Sequence, residues 1–416
     1  MEMLSKKLYF PFLLLLLSII SVAPFCSVHY ANMLIITGLE LAILVYLFFN
    51  IKRNSYLKKY RAVYFFLIWA FIGEIRGVFE ADNYWDWKNL MGCSMSMLLP
   101  LSIYYFDIPN NFIHVFRYWI KYIIPLFFII FLWIISPGAV HYFVSPFMIF
   151  ICFIPILSKK WKIICLIVAS LMLFRDIGAR SQMLTAMASL GFAMVLWMFR
   201  NGWQKIVMKY LKIAFWGFHV LPVILLFLGI SGTFNIFECL SESSLSNEKT
   251  YNVSADGNIN ESNVAADTRT FIYVDVINSA LKNNYVLFGR TMARGNDCTY
   301  NFGDETFLLT GRYERFANEV GMTNIFTWLG MVGLLLYIGI YFRASWLGIY
   351  RSNNIYIKIL SCFVAYHCMY GWIENYPAFT IHTLTLYVMI AMCMSSSFRS
   401  MTNLEFEILI LNSATL

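Results

Sequence analysis

Residues Asp267 to Gly333 read DTRTFIYVDVINSALKNNYVLFGRTMARGNDCTYNFGDETFLLTGRYERFANEVGMTNIFTWLGMVG. This is the longest polar stretch in an otherwise apolar chain, and it runs directly into an apolar segment beginning near Ile325. Asp267 or Thr268 is placed to cap a helix over 268–282, with Phe271, Val274, Asn278 and Leu281 on one face. The pair Asn283-Asn284 would stop it. Beyond it come the pairs Gly289-Arg290 and Arg294-Gly295, then the charged run Arg312, Glu314, Arg315 and Glu319. A polar surface joined to an apolar helix is expected where a membrane protein presents its working face to water.

The surrounding composition supports a membrane class. The chain has 416 residues, 60% of them hydrophobic and only 13% charged, about half the charged share of a soluble domain. Spans of about 20 residues fit runs at about 8–26, 31–50, 62–79, 89–106, 118–136, 141–157, 163–179, 181–199 and 211–231, then 323–342, 355–373 and 377–398. The expected fold is therefore an all-α polytopic membrane protein of about twelve transmembrane helices, with one large loop between the ninth and tenth. Residues 1–231 would carry the first nine spans, 232–322 the loop, 323–398 the last three spans and 399–416 a cytoplasmic tail.

The net charge of +8 would suggest nucleic acid in a soluble protein, but topology accounts for it. With the N-terminus inside, about two thirds of the 31 basic residues fall in cytoplasmic segments, as the positive-inside rule requires. Most of the others lie in the large loop, and long translocated segments are largely exempt from that rule. Both termini are then expected in the cytoplasm and the loop on the outer side. Within it, 238–266 is rich in Ser, Asn and Glu and reads as flexible. The nine cysteines show no metal spacing. Cys239 and Cys298 lie in the loop and would pair only in an oxidising compartment.

Ionisable groups near spans are costly and so mark function. Glu74 and Arg76 sit in the third span, and Arg175 and Arg180 flank the hairpin FRDIGARSQ. An arginine fork holds phosphate oxygens bidentately, and Ser181 opens the next helix, whose N-terminus favours anions. Anchoring to lipid headgroups is the plainer reading of the same two arginines. In the loop, Arg269, Arg290, Arg294, Arg312 and Arg315 stand against a single lysine after residue 266, a bias that suits an anionic ligand. Solvated surface charge is the alternative for any one of them. Glu319 precedes the tenth span, where it serves either as a general base or as a carboxylate favoured by the helix dipole. His219, His367 and His382 read as polar groups satisfied within the bundle, with His382 held in reserve for chemistry. No P-loop, GxSxG, HExxH or DxD motif occurs, so no metal site or cofactor is expected.

Three local segments carry a family resemblance: RSQMLTAMASLGFAMVLW at 180–197, TRTFIYVDVINSALKNNYVLFGR at 268–290 and NEVGMTNIFTWLGMVGLLLY at 318–337, with Gly330 and Gly333. Together with the span layout they resemble the O-antigen polymerase and O-antigen ligase superfamily. The resemblance implies a bacterial inner-membrane enzyme, free of metal and nucleotide. It would move a glycan from an undecaprenyl-pyrophosphate carrier to a sugar hydroxyl at the periplasmic face, with other polysaccharide-assembly proteins as possible company and no nucleic acid. Carried over, Arg180 with Arg269 or Arg290 would hold the pyrophosphate, aided by Arg175, Arg294, Arg312 and Arg315. The His-Asn pattern of ligases is absent, since Thr323-Asn324 and Glu319 occupy that region. This departure favours a polymerase of repeat units, with Glu319 as base, over a ligase to lipid A core. A transporter or flippase of a lipid-linked or anionic solute is the alternative from another class.

Overall fold

A computed structural model of the protein describes residues 2–28, 30–51, 57–176, 179–231, 233, 249–253, 259–263, 270–298, 303–374 and 377–414. Helices dominate. In chain order they are α1 (Glu2–Ile20), α2 (Met33–Asn50), α3 (Arg61–Glu80), α4 (Tyr84–Leu98), α5 (Ser102–Phe106), α6 (Pro109–Leu126), α7 (Leu132–Ile134), α8 (Val140–Val144), α9 (Phe147–Cys152), α10 (Lys159–Phe174), α11 (Arg180–Arg200) and α12 (Gln204–Ile230). After the loop elements α13 (Thr270–Lys282) and α14 (Gly303–Thr310) come α15 (Gly321–Arg351), α16 (Ile355–Tyr370), α17 (Ile381–Met394), α18 (Ser396–Ser400) and α19 (Asn403–Ala414).

Five helices among the described residues are long and apolar enough to cross a membrane: Arg61–Glu80, Pro109–Ile134, Gln182–Arg200, Gln204–Gly229 and Gly321–Arg351. Four shorter apolar helices accompany them. The outward faces are as apolar as the interior, with Leu34 80% and Phe79 84% exposed. Such a surface is a liability in water but matches lipid. At the centre every residue of α17 is buried, and α15 packs on both α16 and α17. Several hydroxyls within the helices donate to carbonyls a turn earlier, as in Ser189 to Thr185 and Thr385 to Ile381, which lowers their cost in an apolar setting.

The contacts sort the connections to two ends. At the loop end the Ser27 amide donates to the Ile134 carbonyl, the Ile381 amide to Ser21 Oγ and the Met322 amide to the Gly371 carbonyl. At the opposite end Lys59 Nζ lies 2.6 Å from Asp107 Oδ2, and Asn354 Nδ2 donates to the Phe398 carbonyl.

Several expectations need correcting. The run at 141–157 is not one span, because Pro146 and Pro155 remove amide donors and split it into α8, α9 and a 3-10 turn over Ile154–Ile156. Within the expected cytoplasmic tail, α19 buries Phe406 and Ile410, and Arg117 donates to the Asn412 carbonyl. Within 238–266, strands Lys249–Val253 and Ile259–Asn263 form an antiparallel pair. Cys298 is buried as a free thiol, its Sγ 3.3 Å from Thr306 Oγ1, and Cys239 lies outside the described residues.

Candidate functional site

The loop is seated on the bundle by a break in α15. Gly330 adopts φ 70°, ψ −171°, so the helix stops there and resumes. A broken helix in an apolar region must re-satisfy its backbone, and residues 286–291 do so here. The amides of Arg290 and Thr291 donate to the Thr327 and Trp328 carbonyls at 2.7 and 3.1 Å, while Met331 and Val332 donate back to Val286 and Leu287. Trp69 Nε1 takes the Leu329 carbonyl at 2.9 Å. Arg76 then holds the Phe288 and Gly289 carbonyls at 2.7 and 3.0 Å. Arg76, expected as an intramembrane functional charge, thus fixes the loop to α3.

The loop helix is real and begins at Thr270, but the face was misread. Ile272, Val276, Ser279 and Ala280 are buried, while Val274 and Leu281 point outward. Ile272 and Val276 pack with Val320, and the Tyr273 hydroxyl donates to the Trp372 carbonyl, which ties α13 to the turn after α16.

Most of the predicted anion-holding arginines are neutralised within the chain. Arg290 bonds Asp297 at 2.7 Å, Glu314 at 3.0 Å and the Gly295 carbonyl at 3.0 Å. Arg294 forks onto both oxygens of Glu314, and that hydrogen bond raises its already high pKa. Burial pushes the Asp297 carboxyl up, but hydrogen bonds from Lys282, Arg290 and Asn283 overcome this and hold it below the usual carboxylate range. Arg312 pairs with Asp82 at 3.1 Å and with the buried Asp86 at 3.0 Å. Arg315 lies 3.9 Å from Glu319, whose side chain is 57% exposed. These are the contacts of a stapled loop. Asp297, Glu314, Asp82 and Asp86 are the partners that sequence reasoning did not assign.

The arginine hairpin behaves differently at its two ends. Arg175 donates to the Leu132 and Ile135 carbonyls, closing the hairpin against α7. Arg180 is exposed at the head of α11. Arg269 lies outside the described residues, immediately before α13.

Below Arg180 is a polar group that the sequence reading had set aside. Gln182 Oε1 accepts from the His141 amide at 3.1 Å. The His141 and His382 rings are 5.4 Å apart and those of His367 and His382 are 6.4 Å apart. All three are buried. Ser145 Oγ donates to the His141 carbonyl and lies 2.7 Å from His382 Nδ1. The five groups come from α8, its C-cap, α11, α16 and α17, elements too far apart in sequence for spacing to reveal. The exposed Arg180, this histidine group and the turn that anchors α13 all sit at the loop end. Among the described residues no group of His, Cys, Asp or Glu could hold a metal ion.

The fold and site thus define a predominantly helical protein of membrane type, with the polar residues 270–298 and 303–320 docked at one end. No family model, curated protein or solved structure matches the chain.

Proposed function

We propose that the protein is a bacterial inner-membrane glycosyltransferase that polymerises undecaprenyl-pyrophosphate-linked oligosaccharide repeat units. The loop faces the periplasm and both termini face the cytoplasm. The reading is supported by one observation above all: Arg180 is exposed at the head of α11, at the same end of the bundle as the docked loop. In the reaction an acceptor sugar hydroxyl attacks the anomeric carbon of the donor, the bond to the pyrophosphate oxygen breaks, and the pyrophosphate leaves on its carrier. Arg180, with Arg269 as the resemblance implies, neutralises the leaving group. Glu319, the most accessible of the expected carboxylates, takes the hydroxyl proton. Arg290 and Arg294 shape the loop rather than touch phosphate.

Arg180→Ala tests this. Membrane abundance should be unchanged while the surface-glycan ladder collapses to a single repeat unit, a loss of about 100-fold or more if a charge-stabilising donor is removed. Long carrier-linked chains that fail to reach the lipid A core would instead identify a ligase. An unchanged ladder would remove the pyrophosphate reading. Transport is a second reading, favoured by the break at Gly330, since broken helices mark transporter sites. Its freed backbone groups bond to residues 286–291 and Trp69 rather than facing a cavity, which weighs for the enzyme.

A further inference from the structure

We propose that the loop carries a finger, Phe307–Tyr313, whose apolar tip dips into the bilayer leaflet at the loop end. The inference rests on the membrane reading but not on the reaction assigned above. Phe307, Leu308 and Leu309 are consecutive, with Leu308 84% and Leu309 66% exposed. No charged residue interrupts them. Three consecutive large apolar side chains exposed to water need a cover.

The position of the finger identifies that cover. Its base is fixed twice. The two-residue strand pair of Asn296 and Asp297 with Glu314 and Arg315 closes behind it, and Arg312 bridges to Asp82 and Asp86. Asp82 lies two residues past the end of α3, a helix able to cross the membrane, and the last turn of that helix exposes Phe79. The ion pair therefore sets the finger beside the point where a lipid-facing helix emerges, at headgroup height. Gly311, at φ 74°, ends α14 and turns the chain back, and the Phe307 ring stacks on Tyr313 with centroids 4.6 Å apart. The stack stiffens the finger, and the tyrosine suits the boundary between apolar chains and water. An apolar tip over a charged base is the arrangement of an interfacial anchor.

The test uses the full chain, purified and reconstituted into phosphatidylcholine vesicles. A polarity-sensitive fluorophore is attached at Leu308→Cys, at Lys282→Cys on the water-facing side of the loop, and at Phe71→Cys on the exposed face of α3, with the labelled parent protein as blank. A nitroxide just below the lipid headgroup should quench Leu308 strongly and Lys282 little, and the Leu308 emission should be blue-shifted. A nitroxide at the chain terminus should quench Phe71 more than Leu308. Quenching of Leu308 by aqueous iodide but not by either lipid would overturn the finger. So would loss of its blue shift on dilution of the protein among vesicles, which would show that a second copy covers it. Failure of Phe71 to be quenched by lipid would instead remove the membrane reading itself. Leu308→Asp with Leu309→Asp should abolish the lipid quenching of a label at Phe307→Cys without lowering the melting temperature, because neither leucine is part of the core.

Discussion

Gly289 and Gly330 lie backbone against backbone. A β-carbon on Gly330 would come within 2.3 Å of the Leu287 carbonyl oxygen and 2.4 Å of the Gly289 nitrogen. Both residues have positive φ, 74° and 70°, a region open to glycine and costly for other residues. Gly330→Ala therefore meets strain and collision together and should destabilise by about 2–4 kcal/mol. A lowered melting temperature in detergent, with reduced membrane abundance, is the expected result. Gly339→Ala, where a β-carbon meets nothing within 4 Å, should be nearly neutral.

Arg76→Met keeps an unbranched stem but removes the donors that hold Phe288 and Gly289. Leaving those carbonyls with poorer partners should cost roughly 1–3 kcal/mol. Limited proteolysis should show new cleavage near 286–291, with the transmembrane helices still protected.

Arg290→Ala separates a structural role from a phosphate-holding one. Removing it strips partners from Asp297 and Glu314, and breaking such a pair costs about 3–5 kcal/mol when fully buried, less here because the site is partly open. Melting temperature and glycan ladder should fall together. A normal melt with a lost ladder would return Arg290 to the pyrophosphate.

The loop should also loosen in acid. The Asp297 carboxyl is held below its ordinary value of 3.8, so the stability it contributes is complete above that pH and is lost as pH falls through the depressed value. Protease protection of the loop, followed from about pH 5 to about pH 2.5, should decline over the lower part of that range. Asp297→Asn should give a lower protection with a flatter profile.

How much of this was legible depended on whether the signal was local. Apolar runs announced the helices, and Asn283-Asn284 announced the end of α13. The docking face of α13 was not legible, since Phe271 and Ile272 are equally apolar and it is packing against Val320 that buries Ile272 more deeply. The arginine bias of the loop was visible, but the partner of Arg312, Asp82, lies 230 residues away in sequence. Pairing of that kind leaves no spacing to read. The histidine group escaped for the same reason, because His141 and His382 meet only once the bundle has closed.

The interlock of residues 286–291 with α15 also has a consequence for biogenesis. As the chain grows, Trp69 and Arg76 are placed first, the loop follows, and α15 comes last. The carbonyls exposed at the Gly330 break find their partners only if the loop is already on the same side as the end of α3. Docking of the loop must therefore precede the settling of α15, and a delay there would leave a half-helix with open backbone in an apolar setting.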